Sequence, residues 1–123
     1  AKEIVNGKGE MIYEMAPRIA GDYSGDADYF KEVQKGMIDV IVKPYGTANY
    51  LSDLPFRVAG KTGTAQTKNK TRINSFFVGF APVDNPRIAI LVLIENAEEG
   101  SLNTLPVAKE VLRWYYENRI NSL

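Results

Sequence analysis

The sequence contains neither cysteine nor histidine. Thiol nucleophiles, Cys/His zinc sites and any Ser-His-Asp relay are therefore excluded within its 123 residues. The missing cysteine fits a reducing cytoplasm and a disulfide-free extracytoplasmic domain equally well. An excess of charge of one sign is also lacking. Fifteen Lys and Arg balance 15 Asp and Glu, so the basic footprint of a dedicated nucleic-acid binder is absent and no nucleic-acid partner is expected. Long apolar runs are missing too: the longest, residues 88–94, falls far short of the ~20 residues needed to cross a bilayer. With no signal-like tract at the N-terminus, any membrane anchor is expected outside this chain. The chain opens at Ala1 without Met and enters a strand-like stretch directly, the pattern expected of a fragment. Neither a metal nor a cofactor is expected.

What is present is ordinary for a folded domain, with 45% apolar and 24% charged residues. A chain of this length makes one domain or less. Glu3-Ile4-Val5 and Met11-Ile12-Tyr13-Glu14 flank Asn6-Gly7-Lys8-Gly9, which predicts a β-hairpin. Residues 16–25, with Pro17, Gly21, Asp22 and Gly25, read as a loop ending in Ser24 or Asp26 as a helix cap. Tyr29, Phe30, Val33, Met37, Val40 and Ile41 recur at helical spacing, and Pro44 stops the pattern. After a turn-rich link over 45–55, strands are predicted over 56–66, 75–81 and 87–95, the last two joined by Pro82-Val83-Asp84-Asn85-Pro86. Because 88–94 lacks alternation, the third strand is expected to be central and covered on both faces. A last helix, entered near Thr104 and Pro106, carries Val107, Ala108, Val111, Leu112 and Tyr115 on one stripe. The fold class expected is α+β, a mostly antiparallel sheet covered by a C-terminal helix.

The chemistry is concentrated in Gly60-Lys61-Thr62-Gly63-Thr64-Ala65-Gln66, within the first of the three strands. Gly60-Lys61-Thr62 imitates the end of a Walker phosphate loop, but that motif needs a glycine where Pro55 stands, and Gly63 follows in place of an apolar helix start. A Lys-Thr-Gly tripeptide on a strand belongs instead to the penicillin-binding and β-lactamase signature. Gly63 offers close backbone approach at the strand. Alternation puts Lys61 and Gly63 on one face and Thr62 and Thr64 on the other, and an edge position or strand twist has to reconcile them if all four serve one ligand.

On these residues the chain resembles class B penicillin-binding proteins, and most closely the elongation type called penicillin-binding protein 2. The resemblance runs from Lys35-Gly36-Met37 and Gly46-Thr47-Ala48 through residues 56–66 to Ser75-Phe76-Phe77-Val78-Gly79-Phe80-Ala81-Pro82, Asn85-Pro86-Arg87 and Glu95-Asn96. It implies a C-terminal fragment of one transpeptidase domain over 1–123, with hairpin and helix in 1–50 and three strands and a helix in 51–123. It implies a catalytic role for Lys61, as positive charge and proton support, and for Thr64, whose amide is an oxyanion donor. Thr62, Gly63, Thr64, Ala65 and Gln66 then line the substrate, with the hydroxyls of Thr62 and Thr64 holding its carboxylate. Implied partners are peptidoglycan stem peptides, β-lactam antibiotics and the remainder of the same transpeptidase domain. The implied location is the extracytoplasmic face of a bacterial cell membrane.

The family's nucleophile, a serine with lysine three residues later, is not in this sequence. Of the five serines, Ser24, Ser52, Ser75 and Ser101 have Ala27, Pro55, Val78 and Thr104 at that place, and Ser122 stands at the end. Ser101-Leu102-Asn103 imitates the family's Ser-x-Asn element but follows Lys61 where that element should precede it, so it reads as a turn before the last helix. Lys68, Lys70 and Arg72 read as a solvated basic loop, and Trp114, Tyr115 and Tyr116 as helix aromatics split between core and rim. A β-lactamase, a penicillin-sensing module and a plain α+β scaffold with a chance tripeptide remain alternatives. The upstream helix and the Gly46-Thr47-Ala48 turn weigh against the first of these.

Overall fold

In a computed structural model, the described residues are 3–16, 18, 19, 21, 25, 27–67, 72–98 and 104–121. The expected cap at Ser24 or Asp26, the loop lysines Lys68 and Lys70 and the Ser101-Leu102-Asn103 turn lie outside them.

The N-terminal hairpin forms as expected: β1 (Glu3–Val5) pairs antiparallel with β2 (Met11–Glu14). Its turn is fastened by the Asn6 side chain, whose Oδ1 accepts from the amides of Lys8 and Glu10, while Gly9 takes φ +81°, a conformation glycine adopts without steric cost. Helix α1 (Ala27–Val42) buries only its C-terminal end. Ile41 is 2% exposed, whereas Tyr29, Phe30 and Val33 on the same apolar pattern lie open. The periodicity thus marks a face that the described part of this chain does not cover.

Three strands follow, β3 (Ala59–Gln66), β4 (Ile73–Ala81) and β5 (Ile88–Ala97), each antiparallel to its neighbour in the order β3-β4-β5. Residues 56–58, expected to begin the first strand, precede it as irregular chain. The expectation that 87–95 is central and doubly covered is wrong. Among the described residues the middle strand is β4, and β5 is the second edge, with Ile90 and Val92 buried on one face and Leu91 and Leu93 exposed on the other. An uninterrupted apolar run records what a strand could bury on both sides, not what this part of the chain supplies. Toward its end β5 bulges against Ile73 and Ser75, and Asn96 takes φ +53° with its amide donating to Asn74 Oδ1 at 3.2 Å. Asparagine tolerates that left-handed turn better than most residues.

Helix α2 (Thr104–Tyr115) closes one face of the sheet. Leu105, Ala108 and Leu112, spaced for one helical side, pack with Phe77, Ile90 and Val92 and with Ile41, Ala48, Leu51 and Val58 in one core. Val107 and Val111, expected on this stripe, are exposed, so the buried face is rotated toward Leu105. Beyond α2 a wider turn runs over Tyr116–Ile120. Of the aromatics, Tyr116 stacks on Phe56 at 4.6 Å, Tyr115 donates to the Arg87 carbonyl, and Trp114 stays at the rim.

A polar clamp ties α2 to the link after α1. The Lys109 ammonium meets both carboxylate oxygens of Asp53, at 2.6 and 2.8 Å, donates to the Tyr50 carbonyl at 3.1 Å and lies over the Tyr50 ring. Hydrogen bonding from Lys109 holds the Asp53 carboxyl below its ordinary value. A depressed folded-state value means stability that is present above the free carboxyl's range, about pH 3.9, and lost as pH falls through the folded value. Lys109→Gln should therefore lower the urea midpoint at pH 7, and the gap to the parent chain should shrink steadily below about pH 4. A gap independent of pH would mean that the clamp acts through packing alone.

Candidate active-site strand

Strand β3 carries the Lys-Thr-Gly sequence along an edge of the sheet. It pairs only with β4, matching Lys61 to Val78, Thr62 to Phe77, Gly63 to Phe76 and Thr64 to Ser75, and among the described residues no strand lies along its outer side. On such an edge every second residue turns its N–H and C=O outward, free to pair with an extended ligand. Burial follows the same asymmetry. Ala59 and Gly60 are buried, Thr62 and Gly63 are half-buried, and Lys61, Thr64, Ala65 and Gln66 are exposed.

The two glycines of the motif have different physical reasons. A Cβ on Gly60 would come within 2.6 Å of the Phe77 ring, so packing requires glycine there. A Cβ on Gly63 would meet Phe76 Cβ at 3.4 Å, an ordinary contact. The sheet itself therefore tolerates a side chain at Gly63, which leaves close approach from outside as a reason for glycine.

Lys61 extends along the strand, its Nζ donating to the Thr62 carbonyl at 2.7 Å. Among the described residues no carboxylate is within ion-pair distance of it. Beside it opens a groove of ≈ 300 Å³ between α1 and β3, lined by Gly36, Asp39, Val40, Tyr45, Gly46, Thr47 and Lys61. A second cavity, ≈ 280 Å³, sits among residues 41–58 away from Lys61 and has mostly apolar walls. It belongs to the packing under the link.

Thr62 and Thr64 share the strand face that looks toward Phe77 and Ser75. At the edge this does not bury their hydroxyls, and Thr62 Oγ1 lies 2.8 Å from Thr47 Oγ1. The edge position leaves both faces of the strand accessible, with Lys61 and Gly63 still opposite Thr62 and Thr64. The structure brings all six candidate residues, Lys61, Thr62, Gly63, Thr64, Ala65 and Gln66, onto one open strand. It adds Thr47, Tyr45 and Asp39, for which the sequence held only a weak signal, the Gly46-Thr47-Ala48 turn. Thr47 meets β3 at Thr62, and Tyr45 and Asp39 share the groove with Lys61; these segments are distant in sequence, so no local spacing could reveal the arrangement. Among the described residues no cluster of His, Cys, Asp or Glu could hold a metal.

Comparison with known proteins agrees with this geometry. The family model described as penicillin binding protein transpeptidase domain matches residues 2–113. The chain is 32% identical over 106 residues to the peptidoglycan D,D-transpeptidase MrdA of Haemophilus influenzae, covering 74% of this chain and 16% of that protein. It is 33% identical over 126 residues to penicillin-binding protein 2A of Bacillus subtilis, covering 90% of this chain and 17% of that protein. The structure of PBP2 from Pseudomonas aeruginosa in complex with WCK 5153 superposes with a TM-score of 0.67 at 33% identity, over 89% of this chain and 22% of that one. The chain thus spans about a sixth of the length of these curated relatives. Matched over nearly its whole length by the family model and by penicillin-binding protein 2 relatives, it belongs to the penicillin-binding protein transpeptidase domain family.

Proposed function

We propose that residues 1–123 are the C-terminal part of one transpeptidase domain in a longer serine D,D-transpeptidase, supplying the wall of its active site that binds the substrate backbone and carboxylate. The observation that carries this reading is the Lys61 to Gln66 strand lying open at a sheet edge, with a glycine at position 63 that packing does not demand. A stem peptide is held there by strand addition, main chain to main chain. The Thr64 amide is one oxyanion donor, preorganised where negative charge develops on the attacked carbonyl. The hydroxyls of Thr62 and Thr64 take the terminal carboxylate, and the Lys61 ammonium supplies positive charge and supports proton movement between hydroxyls. Ala65 and Gln66 continue the binding edge. The serine that attacks comes from a part of the domain outside this sequence. Such an enzyme works at the extracytoplasmic face of the membrane, with its anchor elsewhere in the protein and β-lactams as inhibitors that occupy the same strand.

Nothing on the strand or in the comparisons favours a β-lactamase. The full-length protein, incubated with a stem peptide ending in two D-residues, should release the terminal D-residue and pass the remaining acyl chain to an acceptor amine. Liquid chromatography with mass detection reads both products. Failure to release the residue, together with failure to take up any β-lactam, would remove the enzymatic reading and leave only the fold.

A further inference from the structure

Thr47 is an exposed residue carried by a closely hydrogen-bonded turn. It stands between Gly46 and the fully buried Ala48, in a turn that is hydrogen-bonded within itself and, through Ala48 and Asn49, to the end of α1. Gly46 N donates to the Lys43 carbonyl at 2.9 Å, Ala48 N to the Val40 carbonyl at 3.1 Å and Asn49 N to the Gly46 carbonyl at 3.0 Å. Asn49 Nδ2 adds a bond to the Ile41 carbonyl at 3.0 Å. From this fixed turn the Thr47 hydroxyl crosses to β3 and meets Thr62 Oγ1 at 2.8 Å.

Each hydroxyl has one proton and two lone pairs, so only one of the two protons can lie on the line between them. If Thr62 donated to Thr47, its oxygen would turn only lone pairs toward the strand edge. A carboxylate, which can only accept, would then be repelled. If Thr47 donates, the Thr62 proton is free to point outward, and the incoming bond polarises it further. The adjacent Lys61 ammonium, bonded to the Thr62 carbonyl at 2.7 Å, adds positive charge at the same place. We propose that Thr47 is a positioning residue that donates to Thr62 and so commits the Thr62 proton to the substrate carboxylate. This rests on the reading of β3 as the carboxylate-binding strand and assigns the residue that makes Thr62 a donor.

The test uses the full-length protein with a penicillin and its methyl ester, whose preference ratio in second-order acylation rate isolates carboxylate recognition. Thr47→Ala should reduce the acid-over-ester preference by about tenfold, the size of effect expected when a hydrogen bond to a charged group is weakened. Thr47→Ser, which keeps the hydroxyl, should restore it, and Thr62→Val should reduce the preference at least as far as Thr47→Ala. A Thr47→Ala enzyme slowed equally toward acid and ester, or unchanged toward both, overturns the proposal, as does failure of Thr47→Ser to rescue. A Thr62→Val enzyme that keeps its acid preference overturns the underlying reading of the strand, which separates the two failures.

Discussion

Lys61→Ala in the full-length protein should slow acylation by a penicillin by about a hundredfold or more, as loss of a preorganised charge or proton-relay group does. In acylation a serine oxygen bonds to the β-lactam carbonyl carbon, the ring C–N bond breaks, and the proton that leaves the hydroxyl ends on the ring nitrogen. On the proposed reading, a nearby cation supports that proton's passage between hydroxyls and offsets the charge of the ligand carboxylate. Lys61 is the cation on β3, exposed at the open edge and free of carboxylate partners among the described residues, so its charge is not already neutralised. The isolated 123-residue chain should gain no ligand mass at all, because none of its five serines has a lysine one helical turn later or a histidine to take its proton. Intact-mass measurement over time on both proteins reads the two results. A stoichiometric adduct on the short chain would place a nucleophile where none is expected. Indifference of the full-length enzyme to Lys61→Ala would remove this strand from the chemistry.

What could be read in the sequence and what could not divides by range. Strand β4, with alternate residues buried, and the Lys-Thr-Gly strand announced themselves through local pattern and turn chemistry, and both lie within a few residues of their expected bounds. The place of β5 in the sheet was not legible. Residues 88–94 are apolar throughout, and only the sheet order reveals that Leu91 and Leu93 face outward. Helix α1 shows the same limit, since Tyr29, Phe30 and Val33 keep a core-like period with nothing described here to cover them. Both cases are intelligible in a chain that spans about a sixth of its relatives' length: pattern records the surface a sequence is suited to bury. The site followed a similar division. Identity and order of Lys61 to Gln66 were legible because the motif is contiguous, whereas Thr47 reaches Thr62 across 15 positions through the geometry of a turn.

That turn is also where a single methyl group should do most damage to the fold. An ideal Cβ at Gly46 would stand 2.2 Å from the Val40 carbonyl oxygen, 2.7 Å from its carbon and 3.0 Å from the Asp39 oxygen. All three obstacles are backbone, so no side chain can rotate aside. The Val40 carbonyl cannot retreat cheaply either, because it accepts the Ala48 amide at 3.1 Å and sits in the last turns of α1 beside buried Ile41. The chain must open the turn, which lifts Ala48 from the core and carries Thr47 away from Thr62. Gly46→Ala should therefore cost roughly 3 kcal/mol, from overpacking joined to lost turn hydrogen bonds, a large share of the ~5–15 kcal/mol that holds a typical domain together. Gly36 supplies the control on the same helix, since a Cβ there meets nothing within 4 Å. Gly36→Ala should raise stability by about 0.5–1 kcal/mol through helix propensity alone. Urea unfolding of the two variants should thus shift in opposite directions from the parent. Equal midpoints for Gly46→Ala and the parent would mean that the turn adapts at no cost and that it does not fix the place of Thr47 as its hydrogen bonds indicate.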